Sequence, residues 1–351
     1  MVARSHQSFY KIKMEKSLDR KIERILADQS CNDFILADAK DGDMGFGIAC
    51  PGERGRLADG TTQYRSLEEY RQAMRDITKQ ALIDIMLISA STNEILTIEE
   101  RLFDNSPVTP AARANDTSDI WLGLSGDYSS QPSLPFRTAT IEHIQCGHLH
   151  CAPDELNVSA DLGLFSITLN NDAERDRESL GDYRHFRIEA EQRGFRHFLE
   201  VFAPNALGDE SPADIGRFVN DHIARCLAGV TKSSRPLFLK MPYFGPAAME
   251  ALVNYDPTLI PGILGGSAGT THDAFYMLWE AKKYGARAAL FGRKINNAEH
   301  QLTFVQFLRY LADGEIEPEE AVRAYHGELG KLGIEPNRPL DKDLQLTQFE
   351  T

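Results

Sequence analysis

Long apolar runs, basic clusters and cysteines are all scarce in this 351-residue chain, and each scarcity removes a class of protein. No window approaches the roughly 18 consecutive apolar residues of a membrane-spanning helix, so no bilayer crossing is expected. The N-terminal stretch MVARSHQSFYKIKMEK has no apolar core of the kind a secretory signal carries. Five cysteines (Cys31, Cys50, Cys146, Cys151, Cys226) are too few and too odd a set for a disulfide scaffold, which predicts a reduced, cytoplasmic protein. Lys and Arg number 38 against 52 Asp and Glu, a net charge of −14 with no long basic run, so a nucleic-acid partner is not expected. No period of about 20 to 50 residues recurs, which excludes solenoids and propellers. HExxH and P-loop motifs are missing, and DMGFGIAC supplies a single G-x-G, short of a dinucleotide fingerprint.

What the chain does have is a core-forming composition, 42% apolar and 26% charged, and a repeated grammar of short apolar runs alternating with amphipathic stretches. The runs are FILAD (34–38), IDIMLIS (83–89), VTPAARA (108–114), LFSITLN (164–170), FLEVF (198–202), LFLKM (237–241), PGILGG (261–266) and AALFG (288–292). Helical patterns fall at 66–82, 93–103, 181–195, 212–229, 246–253 and 271–285. Strand and helix in alternation imply parallel strands joined by crossovers, and eight such units predict an α/β fold, the (β/α)8 TIM barrel, as a single domain over 1–351. Residues 1–31 read as a helical extension, with Leu18, Ile22, Ile25 and Leu26 on one face and the barrel's N-terminal end as its place. Residues 115–161, after the third strand, read as an inserted βα loop over the mouth with a short helix near 139–147. The tail 331–351 reads as surface-packed coil.

Barrels of this kind carry their chemistry at the C-terminal strand ends. Run six places Lys240 inside an apolar strand, sharing a face with Phe238 and opposite Leu237, Leu239 and Met241. If that Leu/Leu/Met face packs on helices, Lys240 points into the barrel, where lost solvation favours the neutral amine a nucleophile needs. A lysine snorkelling at the strand end or paired with a carboxylate is the other reading. Run five places Glu200 similarly, between Phe198 and Phe202, either as a proton relay beside Lys240 or as a plain ion-pair partner. Asp38 closes the first run and is expected to point to the pocket; Lys40 shares its parity, to balance it or to serve as the reactive amine itself. A solvated charged loop accounts for Asp41 and Asp43. Gly265, Gly266 and Ser267 after run seven, with Gly292 and Arg293 after run eight, form an expected anion cradle at the place where barrels often hold phosphate. Arg113, Asn115 and Asp116, with Trp121 and Tyr128 beyond, are expected around the pocket or in surface-loop roles. Cys146, His148, His150 and Cys151 crowd four candidate ligands into six residues, but not at the spacing of a zinc site, so no metal is assigned.

The order of these strand ends resembles the class I, Schiff-base-forming aldolases of the barrel superfamily, the archaeal-type fructose-bisphosphate and tagatose-bisphosphate aldolases among them. LADAKD, FLEVF, FLKMPY, GGSAGT and LFGRKI carry the likeness, over most of residues 33–312. The resemblance implies a lyase acting on a ketose phosphate without metal or other cofactor. It implies that Lys240 carries the imine, that Glu200 is a candidate acid/base, and that Gly265, Gly266, Gly292 and Arg293 hold a phosphate. A homo-oligomer is expected only because many barrels assemble. Two other functions compete: a non-catalytic sugar-phosphate binder, and a metal-assisted lyase or isomerase using Asp38, Glu200 and the 146–151 cluster.

Overall fold

The computed structural model describes residues 14–118, 131–157, 159–206, 214–266 and 269–348. Eight parallel strands close a TIM barrel: β1 (Ile35–Lys40), β2 (Ile85–Ile88), β3 (Thr109–Arg113), β4 (Leu162–Thr168), β5 (Arg196–Phe202), β6 (Leu239–Lys240), β7 (Gly262–Leu264) and β8 (Ala288–Phe291). The hydrogen-bonded order runs β6-β5-β4-β3-β2-β1-β8-β7, and a parallel bridge from Met241 to Ile263 joins the two ends. Each strand coincides with one of the eight apolar runs.

Side-chain alternation sorts each strand into an inner and an outer face. Ile35, Ala37, Ile85, Leu87, Ala111, Leu164, Phe198, Phe238, Ala288 and Leu290 fill the barrel, with Phe198 and Phe238 stacked at 4.5 Å between ring centroids. Leu18, Ile22 and Ile25 of helix α1 (Ser17–Ala27) belong to the same cluster, so that helix packs on the interior from the end opposite the strand C-termini; Leu26 is exposed. The outer faces pack on α2 (Leu67–Gln80), α4 (Ala173–Gln192), α5 (Ile215–Ala228), α6 (Pro246–Tyr255) and α7 (Thr271–Lys283), with the short α3 (Ile141–Cys146) in the region after β3. Start signals written in the sequence are used. Ser66 with Glu69 and Thr270 with Asp273 form capping boxes, and Asp172 and Asp214 cap α4 and α5, each worth about 1 kcal/mol.

Two elements depart from the sequence reading. After β8 the chain forms α8 (Gln301–Asp313) and α9 (Pro318–Leu332), whose Phe304, Leu308, Val322 and Tyr325 complete the outer core. The tail beyond is not mere surface coil: Asp343 accepts the Thr271 amide, and the Thr347 and Gln348 amides donate to Asp273, tying the C-terminus to the start of α7. The expectation of a wholly reduced cysteine set also fails. Cys146 and Cys151 are joined by a disulfide, because left-handed turns at Gly147 (φ 81°) and His150 (φ 64°) fold the chain back to a Cα separation of 5.7 Å, within bridging range. Cys31, Cys50 and Cys226 are free.

Candidate active site

A cavity of about 410 Å3 opens at the C-terminal mouth of the barrel. Four consecutive strands each carry an inward-facing polar residue toward the mouth. Arg113 ends β3, Ser166 lies on β4, Glu200 on β5 and Lys240 ends β6. Ser166, Glu200 and Lys240 are direct register partners, Ser166 opposite Glu200 and Glu200 opposite Lys240, so the barrel ladder itself sets their spacing.

The cluster is buried and tightly bonded. Lys240 Nζ lies 2.6 Å from Glu200 Oε1, with the two residues 7% and 2% exposed. Ser166 donates its hydroxyl to Glu200 Oε2 at 2.5 Å. The Arg113 guanidinium reaches Asp41 Oδ2 at 2.9 Å, Ser166 Oγ at 3.2 Å, the Asn115 carbonyl at 2.8 Å and, more loosely, Glu200 Oε2 at 4.0 Å. Burial works against its charge, but Asp41 and Glu200 reverse that and the guanidinium holds its proton more tightly than usual. Asn115 clamps Ser166 from behind: its side chain accepts the Ser166 amide at 2.7 Å and donates to the Ser166 carbonyl at 2.8 Å. A carboxylate against an ammonium, held by a hydroxyl and backed by a guanidinium, can move a proton at the lysine nitrogen while its own position stays fixed.

Asp38 and Lys40 are not in this cluster. Their strand neighbours Met86, Phe291 and Ile88 belong to the outer core, whereas Ile35 and Ala37 face the interior, so Asp38 and Lys40 point outward toward α2. There they form a fully buried pair, Nζ to Oδ2 3.3 Å, with Lys40 5.8 Å from the Tyr70 ring centroid. Burial pushes the Asp38 carboxyl up to about 6 and the Lys40 amine down. Neither lines the cavity, which corrects both the pocket role of Asp38 and the phosphate or amine role of Lys40. Asp41, one step further and on the inward parity, is the first-strand acid that lines it. Cys50 also lines the wall, but burial lifts its thiol to about 12, so it supplies no thiolate at neutral pH.

The strand-seven and strand-eight ends lie beside Lys240, since β6 is bridged to β7 and β7 pairs with β8. Gly265, Gly266, Gly292 and Arg293 all line the cavity. Their roles differ from a simple row of donors. The Gly265 amide is spent on Leu290 O at 2.9 Å, and its missing side chain makes room for the Phe291 ring, where a Cβ would sit 2.1 Å from Cδ1. This corrects the expectation that its N–H faces an anion. Gly266 takes the left-handed turn (φ 54°), and Ser267 lies outside the described residues, as do Trp121 and Tyr128. The Arg293 guanidinium lies over the Phe46 ring at 5.2 Å. Gly292 is fixed by sterics, because a Cβ there would meet the Ala39 carbonyl at 2.6 Å and backbone cannot step aside. Gly292→Ala is therefore expected to destabilise the protein by about 1–3 kcal/mol, read as a lower denaturation midpoint. An unchanged midpoint would show that β1 and β8 can separate there.

The 146–151 cluster does not join the site. Cys146 is in the disulfide; His148 Nε2 pairs with Glu155 Oε1 at 2.9 Å, and the stretch lines neither the cavity nor the Lys240 cluster. The sequence reading does not single out Ser166, Thr117 or Thr168, nor Asn115 as a clamp. Ser166 and Thr168 are visible in hindsight as the polar members of LFSITLN on the parity of Leu164.

No family model and no curated protein matches the sequence. Among solved structures, an archaeal fructose 1,6-bisphosphate aldolase superposes with a TM-score of 0.56 at 14% identity, covering 84% of this chain and 99% of its own. A fructose-bisphosphate aldolase from Slackia heliotrinireducens gives 0.62 at 13% identity, covering 88% and 89%. Cgl0159 from Corynebacterium glutamicum gives 0.53 at 16%, covering 86% and 94%. At these identities the likeness establishes a shared architecture: the chain folds as an α/β TIM barrel of the shape those aldolases have.

Proposed function

We propose that the protein is a class I aldolase, a lyase that cleaves or forms a carbon–carbon bond in a ketose phosphate through an imine on Lys240. The observation that carries this reading is the buried pair of Lys240 and Glu200 at 2.6 Å on the cavity wall, next to the Gly266, Gly292 and Arg293 rim. Glu200 takes the ammonium proton, freeing the amine to attack the ketone, and returns it to the carbinolamine oxygen as water departs. The iminium then draws the electron pair of the C3–C4 bond as Glu200 accepts the C4 hydroxyl proton, leaving an enamine on Lys240 and a free aldehyde. Protonation and hydrolysis of the enamine regenerate the lysine. Ser166 and Arg113 keep Glu200 aimed at the reacting atoms through each exchange. The role of electron sink falls to the iminium, so activity is expected to withstand a chelator.

Borohydride added with dihydroxyacetone phosphate is expected to leave a reduced, covalent adduct whose mass maps to Lys240 by peptide digestion. An unmodified Lys240, or an adduct at Lys40, overturns the assignment. A binder without catalysis would hold the ligand and yield no adduct at all.

A further inference from the structure

Resting on the aldolase reading, we infer that the substrate is a ketose carrying its one phosphate on the carbonyl-side carbon, a ketose 1-phosphate, so that cleavage keeps the phosphorylated ketone on Lys240 and releases an unphosphorylated aldehyde.

The argument is one of charge placement around the cavity. Three cationic side chains line it, Lys240, Arg113 and Arg293. Lys240 is matched by Glu200 at 2.6 Å, and Arg113 by Asp41 at 2.9 Å with Glu200 close behind. Of these three, Arg293 alone has no carboxylate of the described residues within ion-pair distance; its guanidinium rests on the Phe46 ring. One uncompensated cation suits one anionic group. Its place fixes which end of the substrate that group occupies. Arg293 follows β8 on the side of the barrel where β6 and β7 also end, so a phosphate there sits toward the carbonyl carbon that condenses with Lys240.

The opposite wall, at the ends of β3, β4 and β5, is built for hydroxyls. It presents Thr117, Thr168, Phe202, Ala203 and Asn205, with Asp41 and Glu200 at its base. A second phosphate there would leave water for a wall that, among the described residues, has no unmatched cation and has carboxylates beside it. The retro-aldol step balances without a co-reactant: the C3–C4 pair moves into the iminium, the C4 hydroxyl proton moves to Glu200, and the C4–C6 fragment leaves as a neutral aldehyde.

The test compares D-fructose 1-phosphate, 6-phosphate and 1,6-bisphosphate on the full chain. The 1-phosphate is expected to exceed the bisphosphate at least tenfold in kcat/KM, the 6-phosphate to be poorest, and Arg293→Ala to raise KM for the 1-phosphate tenfold or more with a smaller effect on kcat. A bisphosphate cleaved as well as or better than the 1-phosphate overturns the inference while leaving the lysine imine standing. Titration calorimetry on Lys240→Met separates the two ideas from the other side. Tighter binding of the 1-phosphate than of the bisphosphate supports the charge argument even where no imine is trapped in the parent protein; equal or weaker binding refutes it.

Discussion

On the proposed aldolase reading, Glu200→Gln is expected to slow carbon–carbon cleavage by about 10²–10⁴-fold, the range for loss of a positioned general acid/base. The side chain keeps its size and its hydrogen bond from Ser166, but an amide cannot take the ammonium proton of Lys240 or the substrate hydroxyl proton. Both imine formation and cleavage therefore suffer, and kcat falls more than KM rises. Stopped-flow turnover together with timed borohydride trapping checks this. Cleavage within a few-fold of the parent would assign the proton transfers to another group, with Asp41 the next acid on the wall.

The second large effect concerns stability. Lys40→Met leaves the Asp38 carboxylate fully buried without its ammonium, 3.3 Å away in the parent, and is expected to cost about 3–5 kcal/mol near neutral pH. The double variant Asp38→Asn/Lys40→Met removes the stranded charge and is expected to recover much of that loss. The deficit of the single variant carries a pH signature. Asp38 is raised to about 6 in the folded parent against an ordinary value of 3.8, so the folded chain binds that proton more tightly than the unfolded one. Stabilisation by the protonated carboxyl is fully present below the unfolded value and is lost as pH rises through the folded one. Losing Lys40 moves the folded value higher still, so the deficit stays small near pH 4, grows as pH rises past 6 and levels off only above the variant's own, higher value. Urea denaturation at a series of pH values reads this out. A pH-independent deficit, or a double variant no better than the single one, would show that the pair matters for packing alone.

How far the sequence reveals this site depends on pattern contrast. Lys240 and Glu200 stand out because each is a charge flanked by apolar residues on both sides, and the alternation assigns a face; the ladder then puts them opposite each other. The first strand offers no such contrast. Phe34 and Leu36 on one face and Ile35 and Ala37 on the other are all apolar, since a barrel strand is covered on both sides, so parity alone cannot say which way Asp38 and Lys40 point. Asp41 reads as a loop charge until the fold brings Arg113 to it across 72 residues. Helices α8 and α9 do carry a helical period, Phe304, Leu308 and Leu311 among it, but the eight strands already account for a barrel without them. The disulfide depends on two left-handed turns that no composition rule signals.

The ladder position of Ser166, Glu200 and Lys240 bears on how such a protein diverges. Their separation is dictated by the pitch of adjoining parallel strands, which insertions and deletions at the rim leave untouched. Natural selection can thus rebuild the surrounding loops for a different ligand, lengthening one or shortening another, while the Lys240–Glu200 pair keeps its alignment.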